Sequence, residues 1–174
     1  MTIRNFENKQ PQIHATTFID DTALILGDVK IGEDCSIWPL TVVRGDVNSI
    51  QIGNNTNIQD NSVLHVTHDG PYNPGGFDLI IGNNVTVGHR VILHGCHVGD
   101  SCLIGMGSTV MDGATIESHT LIGAGSLVTP GKYLESGYLW MGSPARKIRK
   151  LTDDEIESIE YSAENYVKLK NQHQ

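Results

Sequence analysis

Residues 98–128 read VGDSCLIGMGSTVMDGATIESHTLIGAGSLV, and in this stretch an aliphatic residue returns at every sixth position. The same step of six runs through the earlier part of the chain, with two insertions and one shortening between its runs. Every position in this column is Ile, Leu or Val: Ile13, Ile19, Ile25, Ile31, Ile37, Val43, Ile52, Ile58, Leu64, Ile81, Val87, Leu93, Val98, Ile104, Val110, Ile116, Ile122 and Val128. An aliphatic residue with a period of six is typical of a solenoid with three short strands per turn.

A second column of small or β-branched residues stands four positions after most of the aliphatic ones, as at Cys35 and Ser126. The two columns together predict an all-β solenoid, a parallel β-helix of about six coils with three faces. If face one begins at Ile13, face three closes the second coil at Val43. A Gly- and Pro-rich loop at about residues 65–80 interrupts the repeat but leaves the assignment of hexads to faces unchanged.

The sequence changes character near residue 150. We expect residues 1–150 to form the β-helix domain and residues 151–174 to form a C-terminal helix. Thr152 and Glu155 have the spacing of a helix-capping box, and apolar residues such as Ile159 and Ala163 follow at helical spacing. Because such an apolar stripe must be buried, the helix is expected to pack on the β-helix or on a neighbouring subunit.

Composition and charge exclude several classes of function. The 174 residues include 12 Lys and Arg against 20 Asp and Glu, a formal net charge of −8, which opposes binding to nucleic acid and to anionic membrane surfaces. The apolar runs are far shorter than the roughly 20 residues that span a bilayer. The first residues have no apolar core of a signal peptide, and three cysteines cannot all pair. We therefore expect a cytoplasmic protein without a membrane segment.

Two of the eight histidines occupy equivalent places in the repeat. His65 and His94 each follow the aliphatic residue of a face-three hexad in consecutive coils, so they should stack about 4.8 Å apart. Arg44 has the same place one coil earlier. His89 lies on face two, which in a threefold assembly can abut face three of the next chain. Three imidazoles would then converge with an open fourth position, as in catalytic zinc sites.

The same histidines could instead make polar contacts in a trimer interface without a metal. His68 lies on the loop just after His65 and is a candidate proton carrier. The remaining histidines are expected to have no role in the site: His14, His97, His119 and His173. The cysteines are expected to be buried packing or interface residues, without a partner thiol at metal-ligand spacing: Cys35, Cys96 and Cys102.

Five short motifs resemble those of the gamma-class carbonic anhydrases and their bacterial relatives, over about residues 10–150: Arg44-Gly45-Asp46, Asn57-Ile58-Gln59-Asp60, Leu64-His65, Gly88-His89 and Leu93-His94-Gly95. This resemblance implies a left-handed β-helix and a homotrimer with Zn²⁺ between subunits. By resemblance, His65 and His94 of one chain and His89 of a neighbour bind the metal, and Gln59 hydrogen-bonds the metal-bound water or bicarbonate.

The resemblance also implies that Arg44, Asp46 and Asp60 support the site, although each could equally form a plain ion pair between subunits. The implied reaction is hydration of carbon dioxide to bicarbonate, in which zinc lowers the pKa of its water to about 7. Fe²⁺ and Co²⁺ also suit three imidazoles and water.

The chain departs from the best-known enzymes of this family at two positions. Those enzymes have a Glu after the Arg-x-Asp motif and a Glu three residues past the first ligand, where this chain has Val47 and His68. Loss of this route for the proton would lower the turnover of carbon dioxide hydration without affecting metal binding, so weak hydration activity is expected. Two other functions stay open. One is a hexapeptide acyltransferase that uses acetyl-CoA, because the motif Gly142-Ser143-Pro144-Ala145 also resembles one found in such transferases. The other is a non-catalytic metal-binding trimeric scaffold.

Overall fold

The computed structural model describes residues 2–173, which form short β-strands followed by one α-helix. The helix, α1, spans Asp153–Lys170. In chain order the strands are β1 (Thr2–Arg4), β2 (Gln12–Ile13), β3 (Phe18–Ile19), β4 (Leu24–Ile31), β5 (Ser36–Ile37), β6 (Val42–Ile52), β7 (Asn57–Ile58), β8 (Val63–His65), β9 (Leu79–Ile81), β10 (Thr86–Val87), β11 (Ile92–His94), β12 (His97–Val98), β13 (Leu103–Ile104), β14 (Thr109–Val110), β15 (Thr115–Ile116), β16 (Leu121–Ile122), β17 (Leu127–Val128), β18 (Tyr133–Leu134), β19 (Tyr138–Met141) and β20 (Arg146–Lys150).

The strands stack as three parallel columns, one for each face. Face one contains β2, the second parts of β4 and β6, β9, β12, β15 and β18. Face two contains β3, β5, β7, β10, β13, β16 and β19, with β20 antiparallel to β19. Face three contains β1, the first parts of β4 and β6, β8, β11, β14 and β17. The predicted β-helix is confirmed, and each aliphatic position pairs with the one predicted for it in the next coil.

The solenoid is longer than the repeat alone indicates. Ile3 adds a rung below Ile25 on face three, and Leu134 and Trp140 add rungs above Ile116 and Ile122 on faces one and two. From Ile25 to Val128 the aliphatic column is buried along the axis. The interior is therefore one continuous apolar stack that every coil shares with its neighbours.

The side chains of the second column are small because they fill the corners between the faces of the β-helix. Buried hydroxyls there donate to backbone carbonyls of the next coil, as Thr41 does to the carbonyl of Gln59 at 3.0 Å and Thr56 to that of Gly82 at 2.9 Å. The three cysteines are free and buried. Burial raises the pKa of Cys35 to about 11 and that of Cys102 to about 12. These thiols are packing residues that stay protonated near neutral pH.

The loop between β8 and β9, residues 66–78, is an ordered excursion. Backbone hydrogen bonds join Thr67 to Phe77 in both directions, at 2.9 and 3.0 Å, and join Gly70 to Asn73 nearer the tip. The side chain of Asn48 donates to the carbonyl of Thr67 at 3.2 Å, which ties the loop to the preceding coil. The loop therefore leaves and rejoins the β-helix at a fixed place next to His65.

Helix α1 lies against face two of its own chain, where it contacts β5, β7 and β10. Thr152 and Glu155 form the capping box that starts it, and Ile159 and Ala163 are buried beneath it. At its other end the fully buried ammonium of Lys170 donates to the carbonyl of Thr16 at 2.9 Å. Within residues 2–173, no helix is both long enough and apolar enough to cross a lipid bilayer.

Candidate metal centre

The structure brings His65 and His94 together on face three. Strands β8 and β11 are neighbours, and their register pairs His94 with His65 directly. The two imidazole rings lie 5.2 Å apart between centroids, at an interplanar angle of 76°. Arg44 lies one coil below, and its carbonyl oxygen is 2.8 Å from Nδ1 of His65. The column of three residues expected from the repeat is thus present in one chain.

In all three candidate ligands, Nδ1 is within hydrogen-bond distance of an acceptor oxygen. Nδ1 of His65 faces the carbonyl of Arg44, that of His94 lies 2.6 Å from Oδ1 of Asp112, and that of His89 lies 2.9 Å from Oδ2 of Asp60. Because a carbonyl and a carboxylate can only accept, Nδ1 carries the hydrogen in each ring. Nε2 then keeps a free lone pair, and this is the form in which histidine binds metals.

The other histidine paired with a carboxylate near the site has the opposite arrangement. His97, on face one, directs Nε2 to Oδ1 of Asp78 at 2.9 Å. Its Nε2 is therefore occupied by a hydrogen bond. This contrast separates the three candidate ligands from a histidine whose Nε2 is used in a hydrogen bond to a carboxylate.

Burial favours the neutral form of the His65 ring. Burial lowers the pKa of His65, so the imidazole stays unprotonated to lower pH than an exposed histidine. Burial opposes the charge on Asp46, but the hydrogen bond and the positive charge of Arg44 outweigh it and hold the pKa of Asp46 below its ordinary value. Nη1 of Arg44 lies 2.6 Å from Oδ2 of Asp46. The other oxygen, Oδ1, is buried and has no hydrogen-bond partner among the described residues.

His89 lies at a corner after β10 on face two, and 47% of its side chain is exposed. Asp60 lies below it at the equivalent corner after β7. Among residues 2–173 of a single chain, no three His, Cys, Asp or Glu side chains are grouped so that they could hold a metal. One chain therefore offers His65 and His94 as a pair, with His89 on a different face.

The remaining predicted site residues lie around these two places. Gln59 follows β7 on face two, is buried, and donates from Nε2 to Oδ1 of Asn57 at 3.1 Å. It lines a surface groove together with Gly88 and Tyr166 of α1. His68 is exposed on the loop, three residues after His65.

Sequence reasoning missed Asp112, which lies two residues after β14 on face three. Its Oδ1 lies 2.6 Å from Nδ1 of His94, and its Oδ2 accepts from the hydroxyl of Thr67 at 2.9 Å. A signal was available, because Asp112 stands in the next coil of the same face as His94. Searching that coil for carboxylates beside each candidate ligand would have found it.

Comparisons with known proteins agree with this architecture. Two family models match: "Bacterial transferase hexapeptide (six repeats)" over residues 10–45 and 95–130, and "Hexapeptide repeat of succinyl-transferase" over residues 78–111. The crystal structure of a hexapeptide transferase family protein from Anaplasma phagocytophilum has a TM-score of 0.92 and 44% identity, and the alignment covers 99% of this chain and 98% of that one. The fold and its repeat define a hexapeptide-repeat protein.

Relatives of known name indicate which family of hexapeptide-repeat proteins this chain belongs to. Protein YrdA of Escherichia coli (strain K12) is 53% identical over 171 residues, which are 98% of this chain and 93% of YrdA. The carbonic anhydrase of Geobacillus kaustophilus is 53% identical over 93% of this chain and 85% of its own length. Gamma carbonic anhydrase 1, mitochondrial, of Arabidopsis thaliana is 46% identical over 99% of this chain, which spans 62% of that longer protein. The chain belongs to the gamma carbonic anhydrase family.

Proposed function

We propose that this protein hydrates carbon dioxide to bicarbonate at a Zn²⁺ site shared between subunits of a homotrimer. His65 and His94 of one subunit and His89 of its neighbour are the proposed ligands. The observation that carries the proposal is the common orientation of these rings, each with Nδ1 held by an acceptor and Nε2 left free. Membership of the gamma carbonic anhydrase family supports the choice of reaction.

The donor set fits a zinc ion. Three neutral imidazoles with a free fourth position are the ligand set of catalytic zinc, and Fe²⁺ or Co²⁺ suits the same set. The rings of His65 and His94 are neighbours, 5.2 Å apart between centroids, and in the proposed site both Nε2 atoms would bind the same ion. His89 is half exposed and so is accessible to a second chain. Oδ1 of Asp46 is buried without a hydrogen-bond partner among the described residues and lies 3.8 Å from Nδ1 of His65, so a polar group beside the proposed ligands is left unsatisfied in the single chain.

A zinc ion in this place would supply hydroxide near neutral pH, because it lowers the pKa of water to about 7. The side chain of Gln59 is fixed by Asn57, so its amide can orient substrate without first losing conformational freedom. Arg44 is held by Asp46 through one nitrogen and is 42% exposed. Its other N–H groups are free to hold bicarbonate or a partner carboxylate. His68, exposed on the loop three residues after His65, would carry the released proton to solvent.

The experiment is stopped-flow hydration of carbon dioxide with protein of measured metal content. Wild type should contain about one metal per chain, and His94→Ala should lose both metal and activity. His97→Ala is the matched control, because it removes a carboxylate-paired histidine on the adjoining face and should leave both unchanged. Metal without hydration activity would instead favour the scaffold role, and a lack of metal would leave the three histidines as interface residues.

Acyl transfer from acetyl-CoA is the second candidate, since the Anaplasma phagocytophilum structure is described as a transferase family protein. Such a reaction needs one histidine as a general base toward an acceptor hydroxyl. It gives no reason for three rings to share the same Nδ1 arrangement. Release of CoA thiol in the presence of candidate amine and alcohol acceptors would support this second function over the first.

A further inference from the structure

One carboxylate connects His94 to the chain segment that follows His65. Asp112 Oδ1 receives the hydrogen of Nδ1 of His94 at 2.6 Å, and Oδ2 accepts from the hydroxyl of Thr67 at 2.9 Å. Thr67 is the second residue after His65 and the first that pairs with the far side of the loop. Asp112 therefore contacts His94 directly and also contacts the chain segment that follows His65.

The surroundings leave the carboxylate little freedom. Gly95, directly after His94, has a φ of +52°, and a Cβ there would lie 2.6 Å from Oδ1 of Asp112 and 2.7 Å from Cβ of Phe77. A side chain at position 95 would push the carboxylate away from His94. The backbone N–H of Gly113 donates to the carbonyl of Gly95 at 2.7 Å, which fixes Asp112 one coil above His94.

We propose that Asp112 is a positioning residue of the metal centre. It sets the tautomer and orientation of His94, and through Thr67 it holds the start of the loop after His65. The proposal rests on the proposed function, because it concerns the same metal site. A carboxylate behind a metal-binding imidazole strengthens the ligand by fixing the ring and raising its basicity, and loss of such a partner typically weakens metal binding about 10- to 100-fold.

The test measures metal affinity rather than turnover. Zn²⁺ dissociation constants are determined by competition with a chelating dye, and the visible spectrum of Co²⁺-loaded protein reports ligand geometry. Asp112→Ala should weaken Zn²⁺ binding about 10- to 100-fold and alter the Co²⁺ spectrum. Asp112→Asn should lose less, because its amide oxygen can still accept from Nδ1. Thr67→Val should produce a smaller loss still, since only the link to the loop is removed.

The chain supplies a matched control in Asp78, a carboxylate whose Oδ1 lies 2.9 Å from Nε2 of His97, a histidine that is not a proposed ligand. Asp78→Asn should leave the Zn²⁺ affinity and the Co²⁺ spectrum unchanged. Thermal unfolding in the presence of a chelator checks that each variant folds. If Asp112→Ala does not fold, the other variants decide the question, because Zn²⁺ affinity should then fall from wild type to Thr67→Val and further to Asp112→Asn.

Wild-type affinity in Asp112→Asn and Asp112→Ala would overturn the positioning role while leaving the metal site intact. An equal loss in Asp78→Asn would also overturn it, because the effect would then be one of net charge. If wild-type protein binds neither Zn²⁺ nor Co²⁺, the proposed function fails and this proposal fails with it.

Discussion

Mixed trimers of two inactive variants should regain about one third of the metal sites. His89→Ala removes the ligand on face two, and His94→Ala removes a ligand on face three. In a homotrimer of either variant every site lacks one histidine. A mixed trimer of either composition contains three interfaces, and in one of them a His89→Ala chain provides His65 and His94 while its neighbour provides His89.

The magnitude follows from the placement of the residues in the fold. His65 and His94 lie on one face of one chain, 5.2 Å apart between ring centroids, and His89 lies on another face. A site is therefore complete only where a His89→Ala chain supplies His65 and His94 and the next chain is His94→Ala and supplies His89. This happens once in each mixed trimer, whichever variant is present in two copies. Co-expression with two different tags and purification through both isolates these mixed trimers.

The assay measures zinc per chain and carbon dioxide hydration on the same sample, relative to wild type. The control is a mixture of His65→Ala with His94→Ala, because both variants damage the same half of the site and no ordered pair completes it. Recovery in the first mixture and none in the second is expected. No recovery above the parent variants in the first mixture would refute the shared site, since a site within one chain cannot be rebuilt by mixing.

Three further predictions concern the helix and the loop. Lys170→Met should lower the free energy of unfolding by about 1–3 kcal/mol in urea titration, because the carbonyl of Thr16 loses its donor and Asp34 loses the ammonium that lies 3.1 Å from its Oδ1. The bidentate contact with Arg149 lowers the pKa of Glu155 to about 2 from its ordinary 4.5, so its contribution to stability is complete above pH 4.5 and is lost as pH falls toward 2. Glu155→Gln should remove that part of the acid dependence. His68→Ala should slow hydration in dilute buffer and recover with added imidazole, without a change in metal content.

Each of these predictions has a matched comparison. Lys168→Met removes an exposed lysine from the same turn of α1, and an equal loss of stability would contradict the buried contact of Lys170. Unfolding that is equally sensitive to acid in Glu155→Gln would contradict the role of Glu155. A rate in His68→Ala that matches wild type at every buffer concentration would remove His68 from the proton path.

The repeat made the fold predictable because its period translates directly into geometry. Once Leu64 and Leu93 were assigned to face three, the residue after each had to stack on the other, and the structure pairs His65 with His94. The rungs at Ile3, Leu134 and Trp140 were missed, although Leu134 keeps the step of six after Val128. Ile3 stands out of step with the sixfold count, and Trp140 is not one of the aliphatic residues that mark the repeat.

Contacts made by the inserted loop and by the helix were harder to predict. Thr67 lies 45 residues from Asp112, across the inserted loop. The ammonium of Lys170 reaches a carbonyl 154 residues away. The spacing predicts a helix for the tail, but it does not specify which end of the β-helix the last turn meets. These contacts depend on how the helix and the loop fold back, and the period of six carries no information about that.

The geometry of a parallel β-helix also explains why a three-histidine site should need two chains. Side chains in one column follow the strand spacing of about 4.8 Å, so the first and third members are about 9.6 Å apart. Two nitrogens bound to one zinc ion can be at most about 4 Å apart, because each Zn–N bond is about 2.0–2.1 Å. Two neighbouring rings can tilt together to meet that limit, as the 76° angle between His65 and His94 allows. A third ring in the same column cannot, and that place is held by Arg44, which does not bind metals. A third imidazole would have to come from another face. Among residues 2–173 His89 is not grouped with the pair, which is why the proposed site takes it from a neighbouring subunit.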